Sequence, residues 1–543
     1  MDCQLAYICG CIPARIKHAL AYLPETLDKT YQRTLEEINK ADWEFAHRLF
    51  QFVAVASPPL RVQELAELLA FDFEAVPIPK FDEALRTENP GDAVLSACSS
   101  LLAVVNVEGS PVIQFSHFSV KEFLTSDRLA KASDIIHRRH HISMTPAHTL
   151  ASQVCLGTLL HLDKDVITRD SLEDYPLAEY AAEHWVHHSQ FEGVSQKVED
   201  GMKQLFDPSK PHLMICIWIH DPKRPWLKRN DRDERPPPTP ESPLYYAVLW
   251  GLYSTVHFLA TEHPFLIERS ADVTARDRDT PVHLALRLRR LEIAQMLIER
   301  GADVTGRDWN GDTSLCLALR QGYVEVAHML IEHGADVSGE DWDGNILYLA
   351  LKKGYVEVVR MLIERGANVS TWDEYWGTLL HMASQRRDRE AVHMLIEHGA
   401  DVSALNSYGE TPLYLASRLG YVEIAYILIE GGADVSAQDQ DSWVGEDTPL
   451  HQASKAGHVE VARMLIGCGA DVSALSYGNT PLHLASQEGY VEVTHMLIEC
   501  GADVSALNWE GNTPLHLALR RGHVEVAHML FEYGAARDWE SLH

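Results

Sequence analysis

The chain has 543 residues, 46% of them hydrophobic and 23% charged, so it is long enough for two or more folded domains. Asp and Glu outnumber Lys and Arg by 78 to 47, and the formal net charge of −31 argues against nucleic acid or an anionic membrane as the main partner. The nine cysteines follow no disulfide-scaffold spacing, which fits free thiols in a reducing compartment. No apolar run approaches the roughly 18–20 residues that a membrane-spanning helix needs.

The first part of the chain predicts helices followed by a single β-hairpin. Apolar residues at three- and four-residue steps predict helices within residues 14–40, over 42–55 and over 62–69. Residues 101–107 and 111–116 are runs of strand-forming residues separated by a Glu-Gly-Ser turn, which predicts a hairpin. Helices followed by a hairpin indicate a winged-helix domain.

From Ser242 onward the sequence repeats itself. Segments of the type Thr-Pro-Leu-His-Leu-Ala begin at Thr411, Thr448, Thr480 and Thr513, at spacings of 37, 32 and 33 residues. Weaker copies in the same register bring the number of repeats to about nine. In each repeat the Thr caps a first helix, Pro occupies its first turn, and a Gly nine residues after the Thr ends it in most copies. A second amphipathic helix follows, and stacking of neighbouring pairs supplies the core.

These repeats resemble the ankyrin-repeat family. The resemblance implies a mainly α fold with a solenoid that binds protein ligands through its loop tips and through the concave face formed by its first helices. Between this array and the winged helix, a charged and Pro-dense stretch predicts an extended linker. The predicted segments are a helical segment over 1–40, a winged-helix domain over 41–132, a helical region over 133–228, the linker over 229–241 and ankyrin repeats over 242–543.

A second resemblance covers the part that precedes the repeats. Residues 24–31, 59–70, 115–124 and 180–188 look like the segment behind the NTPase in fungal NACHT–ankyrin receptors of the STAND class. In that family the segment is a winged helix of the GPI inositol-deacylase type, followed by a helical region. The chain lacks the phosphate-binding motif of an NTPase, Gly-x-x-x-x-Gly-Lys-Ser/Thr. It also lacks the nucleophile motif that a deacylase needs, Gly-x-Ser-x-Gly. We therefore predict no enzyme activity and no cofactor.

The predicted function is a non-enzymatic protein-interaction module, the sensor or adaptor part of a NACHT–ankyrin-like receptor system. Its predicted location is the cytoplasm, with the nucleus left open, and its partners are a protein ligand and full-length NACHT–ankyrin relatives. One alternative is that the sequence is a fragment of an NTPase-containing STAND immune-type receptor. Another is a nucleic-acid-binding winged-helix regulator, which the scarcity of basic residues over 45–69 disfavours.

Large aromatic residues recur in the loop before each first helix. The tryptophans of this set are predicted to bind the protein ligand, because exposed Trp is a favoured interface anchor. The alternative is that each ring covers its own turn, an interpretation that fits Tyr408 and Tyr477 best. The loop before Thr448 also carries an insertion, residues 442–445. The predicted binding tryptophans are Trp309, Trp342, Trp376, Trp443 and Trp509.

Basic residues recur seven positions after the helix caps. There a cation complements the helix dipole, an interaction worth roughly 0.3–1 kcal/mol. This interpretation is favoured over a second reading, in which the cations contact an acidic partner along the concave face. The second reading makes five of them candidate binding residues alongside the tryptophans. The basic set is Arg287, Arg320, Lys352, Arg418, Lys455 and Arg520, of which all but Arg287 are candidate binding residues.

The pattern of histidines predicts a structural role for them and no metal site. The fourth position of five repeats is His, where the resemblance implies hydrogen bonds between neighbouring loops. His184, His187 and His188 have helical spacing, but no Cys or carboxylate stands at ligand spacing beside them. We therefore predict no metal site. The five repeat histidines are His283, His381, His451, His483 and His516.

Overall fold

The computed structural model describes residues 27–39, 42–75, 77–86, 89–98, 100–107, 109–132, 134, 138–165, 167–226, 233–236, 242–268, 279–338, 340–341, 344–373, 377–439 and 446–534. The chain divides into two compact units, Met1–Ser270 and Ala271–His543. Among the described residues, no helix combines the length and the apolar character needed to cross a membrane.

The first unit begins with the predicted winged helix. Its antiparallel hairpin pairs Leu102 with Phe115 and Val107 with Ser110, which confirms the predicted wing. The Ile113 amide donates to the Leu60 carbonyl at 2.8 Å and so joins the wing to the start of a helix. The elements are α1 (Leu27–Glu36), α2 (Trp43–Val55), α3 (Val62–Ala66), β1 (Phe71–Asp72), β2 (Lys80–Phe81), α4 (Pro90–Cys98), β3 (Leu102–Val107), β4 (Ser110–Phe115), α5 (Phe118–Leu124) and α6 (Asp127–Ala130).

A helical region completes the core of this unit. Its central helix is buried along most of its length, because Ala, Leu, Val and Cys occupy every side of it. The described part of the predicted linker, residues 233–236, contacts this region: the Trp218 indole N–H donates to the Asp233 carbonyl at 3.2 Å, and the Arg169 amide donates to the Glu234 carbonyl at 2.9 Å. The helices are α7 (Met144–His161), α8 (Ala178–Ser189), α9 (Glu199–Leu205) and α10 (His212–Ile219).

The first copy of the repeat, which begins at Ser242, belongs to this unit and not to the second one. It forms α11 (Pro243–Trp250) and α12 (Tyr253–Glu262), followed by the short α13 (Phe265–Glu268). The Trp250 ring meets the ring of Trp185 edge-on at 5.4 Å and that of Phe206 at 6.0 Å, in the core of the helical region. The helix pair α11–α12 cannot bury its apolar face by itself, and the helical region covers that face.

The second unit is a stack of helix pairs, as the period predicts. Short two-residue strands pair in the loops before the third and fourth pairs: β5 (Glu340–Asp341) with β6 (Gly344–Asn345), and β7 (Trp372–Asp373) with β8 (Gly377–Thr378). The described helices are α14 (Pro281–Arg287), α15 (Leu291–Glu299), α16 (Ser314–Gln321), α17 (Val324–Glu332), α18 (Ile346–Lys353), α19 (Val356–Glu364), α20 (Leu379–Gln385), α21 (Arg389–Glu397), α22 (Pro412–Leu419), α23 (Val422–Glu430), α24 (Pro449–Ala456), α25 (Val459–Gly467), α26 (Pro481–Glu488), α27 (Val491–Glu499), α28 (Pro514–Arg521) and α29 (Val524–Glu532).

The ends of the first helices follow the predicted chemistry. The Thr448 hydroxyl accepts a hydrogen bond from the backbone amide of His451, three residues on, and the same cap recurs in other pairs. Gly457 ends α24 with φ +78°, a left-handed conformation in which a Cβ is unfavourable. The ring of Tyr490, from the next pair, lies against this glycine, at 2.6 Å from where a Cβ would stand. The close approach of the neighbouring pair is therefore a second reason for glycine.

Candidate functional site

Two of the five predicted binding tryptophans lie within the described residues, and both are exposed. Trp309 is 63% exposed and Trp509 is 74% exposed. They occupy equivalent places in their loops, eight residues after the glycines Gly301 and Gly501 that end the preceding turns. Trp342, Trp376 and Trp443 lie outside the described residues, as does the predicted insertion at 442–445.

A second row of exposed apolar side chains in these loops was not predicted from the sequence. Trp372, Leu475 and Leu507 stand six residues after the corresponding glycines and are 55%, 55% and 63% exposed. Aliphatic and aromatic residues two positions apart in a loop were the available signal. We call the two rows, together with the exposed tyrosines of the same loops, the loop-tip surface: Trp309, Trp372, Tyr408, Leu475, Tyr477, Leu507 and Trp509.

The two tips nearest the C-terminus contact each other. The Trp509 and Tyr477 rings meet edge-on with centroids 5.4 Å apart. Trp509 also covers Gly478, where a Cβ would stand 2.1 Å from the indole Cδ1. Trp509 therefore rests on the preceding loop while keeping most of its surface exposed. An aromatic ring held in place in this way loses little conformational entropy on binding.

The candidate arginines are engaged inside their own repeats. Arg320 donates to the carboxylate of Asp312 at 2.5 Å, and Arg418 pairs with Glu410. Asp312 and Glu410 are buried and directly precede the caps of their first helices. These arginines therefore neutralise buried carboxylates at the end of the loop, a role beyond the helix dipole. An acid placed directly before the cap, eight residues ahead of the arginine, was the signal in the sequence.

The remaining basic candidates are more exposed. Arg520 is 3.4 Å from the Glu510 carboxylate, and both side chains are more than half exposed. Lys352 and Lys455 are exposed, and the Lys352 ammonium lies 5.6 Å from the Tyr348 ring centroid. In these repeats the cation is available to solvent as well as to the helix end.

The repeat histidines tie neighbouring loops together. In His283 the Nδ1 atom is 2.8 Å from the Thr280 hydroxyl, and Nε2 is 3.2 Å from the carbonyl of Asp312 in the next repeat. Burial lowers the pKa of His283 to about 4, so the ring is neutral and its Nε2–H donates. His381, His451 and His483 make the same two contacts.

Comparison with known proteins agrees with this geometry. Residues 277–309 match the model of the ankyrin repeat, and residues 305–373, 347–439, 437–508 and 478–538 match the model of ankyrin repeats in three copies. Residues 35–136 match the winged helix domain of GPI inositol-deacylase. The chain is therefore a protein with an ankyrin-repeat array and a winged-helix domain.

One similar curated protein is azaphilone pigments biosynthesis cluster protein L from Monascus ruber. It is 32% identical over 243 residues, which cover 43% of this chain and 50% of the relative. The chain thus spans about half the length of the curated relative it matches. The name of the relative states no enzyme activity.

Proposed function

We propose that the ankyrin array captures a protein ligand through the loop-tip surface. The observation that carries this proposal is the exposure of Trp309 and Trp509, which exceeds half of each side chain. Burying a tryptophan removes a large apolar area from water at about 25 cal/mol per Å², and anchors of this type dominate protein interfaces.

The arginines contribute less to this proposed interface than the aromatic tips. Arg320 and Arg418 are already paired with buried carboxylates, so an acidic partner would have to compete with those ion pairs. Lys352, Lys455 and Arg520 are the basic candidates that keep exposed charge for a partner. We infer that the aromatic tips anchor the ligand and that these three cations affect its association rate.

At the level of the cell, we infer a sensor or adaptor in a NACHT–ankyrin-like receptor system. The combination of a winged helix of the GPI inositol-deacylase type with ankyrin repeats supports this inference. The alternative, a longer receptor that includes the NTPase, is tested by reading the genomic sequence upstream of Met1 for a Gly-Lys-Ser/Thr loop. If a continuous reading frame carries that loop, the protein is the full NTPase-containing receptor and the adaptor proposal is wrong.

Site-specific photocrosslinking tests the proposed surface directly. A photoreactive amino acid at position 309 or 509 of the full chain should trap one protein partner in cells of the source organism. Trp226, which is 72% exposed and lies outside the array, provides a matched control position. The same adduct from position 226, or none from positions 309 and 509, would contradict the assignment.

A further inference from the structure

Three imidazole rings meet between two helices of the first unit. His148 lies on α7, and His187 and His188 lie on α8. The ring centroids are 5.2 Å apart for His148 and His188, 5.5 Å for His187 and His188, and 5.8 Å for His148 and His187. One ring nitrogen of each residue lies within 4.8 Å of the others. The three rings form a nearly equilateral triangle.

These distances fit a bound transition metal ion. An ion with Zn–N bonds of about 2.0–2.1 Å and tetrahedral angles places the nitrogen atoms about 3.3 Å apart and the ring centroids about 5 Å apart. The Nδ1 atoms of His148 and His188 are 3.0 Å apart, slightly closer than that. Rotation of the rings that sets all three nitrogen atoms, now within 4.8 Å of one another, at this spacing would admit the ion.

Neighbouring side chains orient two of the three rings. The Nε2 atom of His188 is 2.9 Å from the Tyr180 hydroxyl, which leaves Nδ1 to face the centre of the triangle. The His148 ring stacks on Phe191 at a centroid distance of 4.0 Å and an interplanar angle of 11°. Partners that hold the second nitrogen or the plane of a histidine are a usual feature of metal sites. His188 and His148 are buried whereas His187 is exposed, so the triangle opens to solvent on one side.

A hydrogen bond between His148 and His188 is the simpler explanation of the short contact. Burial lowers the pKa of His148 to about 4 and that of His188 to about 3, so both rings are neutral and the Nδ1–H of one can donate to the Nδ1 atom of the other. That explanation accounts for two of the rings and gives His187 no role. The Lys121 ammonium acts against a cation here, since its charge helps to lower the His148 pKa.

We propose that His148, His187 and His188 bind one divalent transition metal ion of the zinc class, with water in the fourth position. Neutral imidazole nitrogens are ligands that such ions prefer. The ion would join α7 to α8 and stabilise the first unit, a role separate from ligand capture by the ankyrin array. The sequence predicts no metal site at His187 and His188, because the third ring, His148, comes from another helix, 40 residues before His188.

The test is titration of the full-length, chelator-treated chain with Zn²⁺ and Co²⁺. We expect one equivalent to bind, with the visible absorption of tetrahedral Co²⁺ and a raised unfolding temperature of the first unit. His187→Ala, at an exposed position, should fold normally and weaken Zn²⁺ binding at least about ten-fold. Lys121→Gln should bind as tightly as the native chain or more tightly, because a repelling charge is removed.

The matched control is His393→Ala, which removes an exposed histidine from α21 in the ankyrin array. It should leave Zn²⁺ affinity unchanged. Absence of saturable binding to the native chain would overturn the proposal. So would equal Zn²⁺ affinities for the native chain and the His187→Ala variant, since the triangle would then hold no ion.

Discussion

Replacing His451 by Ala tests whether the repeat histidines hold the array together. Its buried ring contacts the Thr448 hydroxyl at 2.7 Å, accepts from the Thr448 amide at 3.2 Å and bonds the Asn479 carbonyl of the next repeat at 3.1 Å. Loss of these bonds leaves the Thr448 amide without its acceptor and opens a cavity. Together these effects should lower the free energy of unfolding by about 2–4 kcal/mol.

His516→Ala provides the matched control for that experiment. His516 accepts from the Thr513 amide at 3.0 Å and bonds the Thr513 hydroxyl at 2.9 Å, but it is only half-buried and belongs to the last described helix pair. We expect its removal to cost about 1 kcal/mol. Urea unfolding of the full chain, with hydrogen exchange of α24 and α26 to locate the loss, measures both variants. Equal losses for the two, or a loss below about 1 kcal/mol for His451→Ala, would refute the tie between repeats.

Three further predictions concern glycine, protonation and charge. Gly478→Ala should displace Trp509 and lower the unfolding temperature, because the new Cβ would stand 2.1 Å from the indole. The pKa of His283 is lowered to about 4 in the folded chain, against about 6.5 in the unfolded chain. The stability that the neutral ring confers is therefore complete above pH 6.5 and is lost as the pH falls toward 4, at up to about 1.4 kcal/mol per pH unit. Chemical unfolding at pH 7 and pH 5 measures this loss. Arg320→Ala should cost about 1–3 kcal/mol in urea unfolding by leaving Asp312 buried without its ion pair.

Each of these has a control within the chain. Gly511→Ala adds a Cβ at a similar φ of +75° with no atom within 4 Å, so it should cost less than Gly478→Ala, and an equal cost would show that Trp509 is easily displaced. His283→Gln should lose part of the pH dependence; an unchanged slope assigns it to other groups. Lys352→Ala should alter stability by no more than about 0.5 kcal/mol, and a loss as large as that of Arg320→Ala would contradict the ion-pair argument.

The array could be predicted from the sequence because its determinants are local and recur. Thr caps, first-turn Pro and C-terminal Gly act within one helix, so the residues of each repeat determine where its first helix begins and ends. The contact of Tyr490 with Gly457 could not be predicted, because it depends on how closely two pairs approach. The first repeat also differs, since Trp250 enters the core of the helical region through contacts that no period encodes.

The candidate site was predicted in part. Exposed aromatic tips followed from their recurrence in the loops, and Trp309 and Trp509 are exposed as an interface requires. The arginines were predicted as a row without their carboxylates, although an acid before the cap accompanies Arg320 and Arg418. That pairing is visible in the sequence only once the loop is known to fold back over the helix.

The affinity of the crosslinked partner for the Trp309→Ala, Trp509→Ala double variant tests the central claim most directly. Binding and thermal unfolding are measured on the same preparation, beside Trp226→Ala. If the loop tips anchor the ligand, the Kd rises at least about ten-fold while the unfolding temperature changes by no more than a few degrees. An unchanged Kd, or an array that unfolds without these rings, would show that they serve the fold and not recognition.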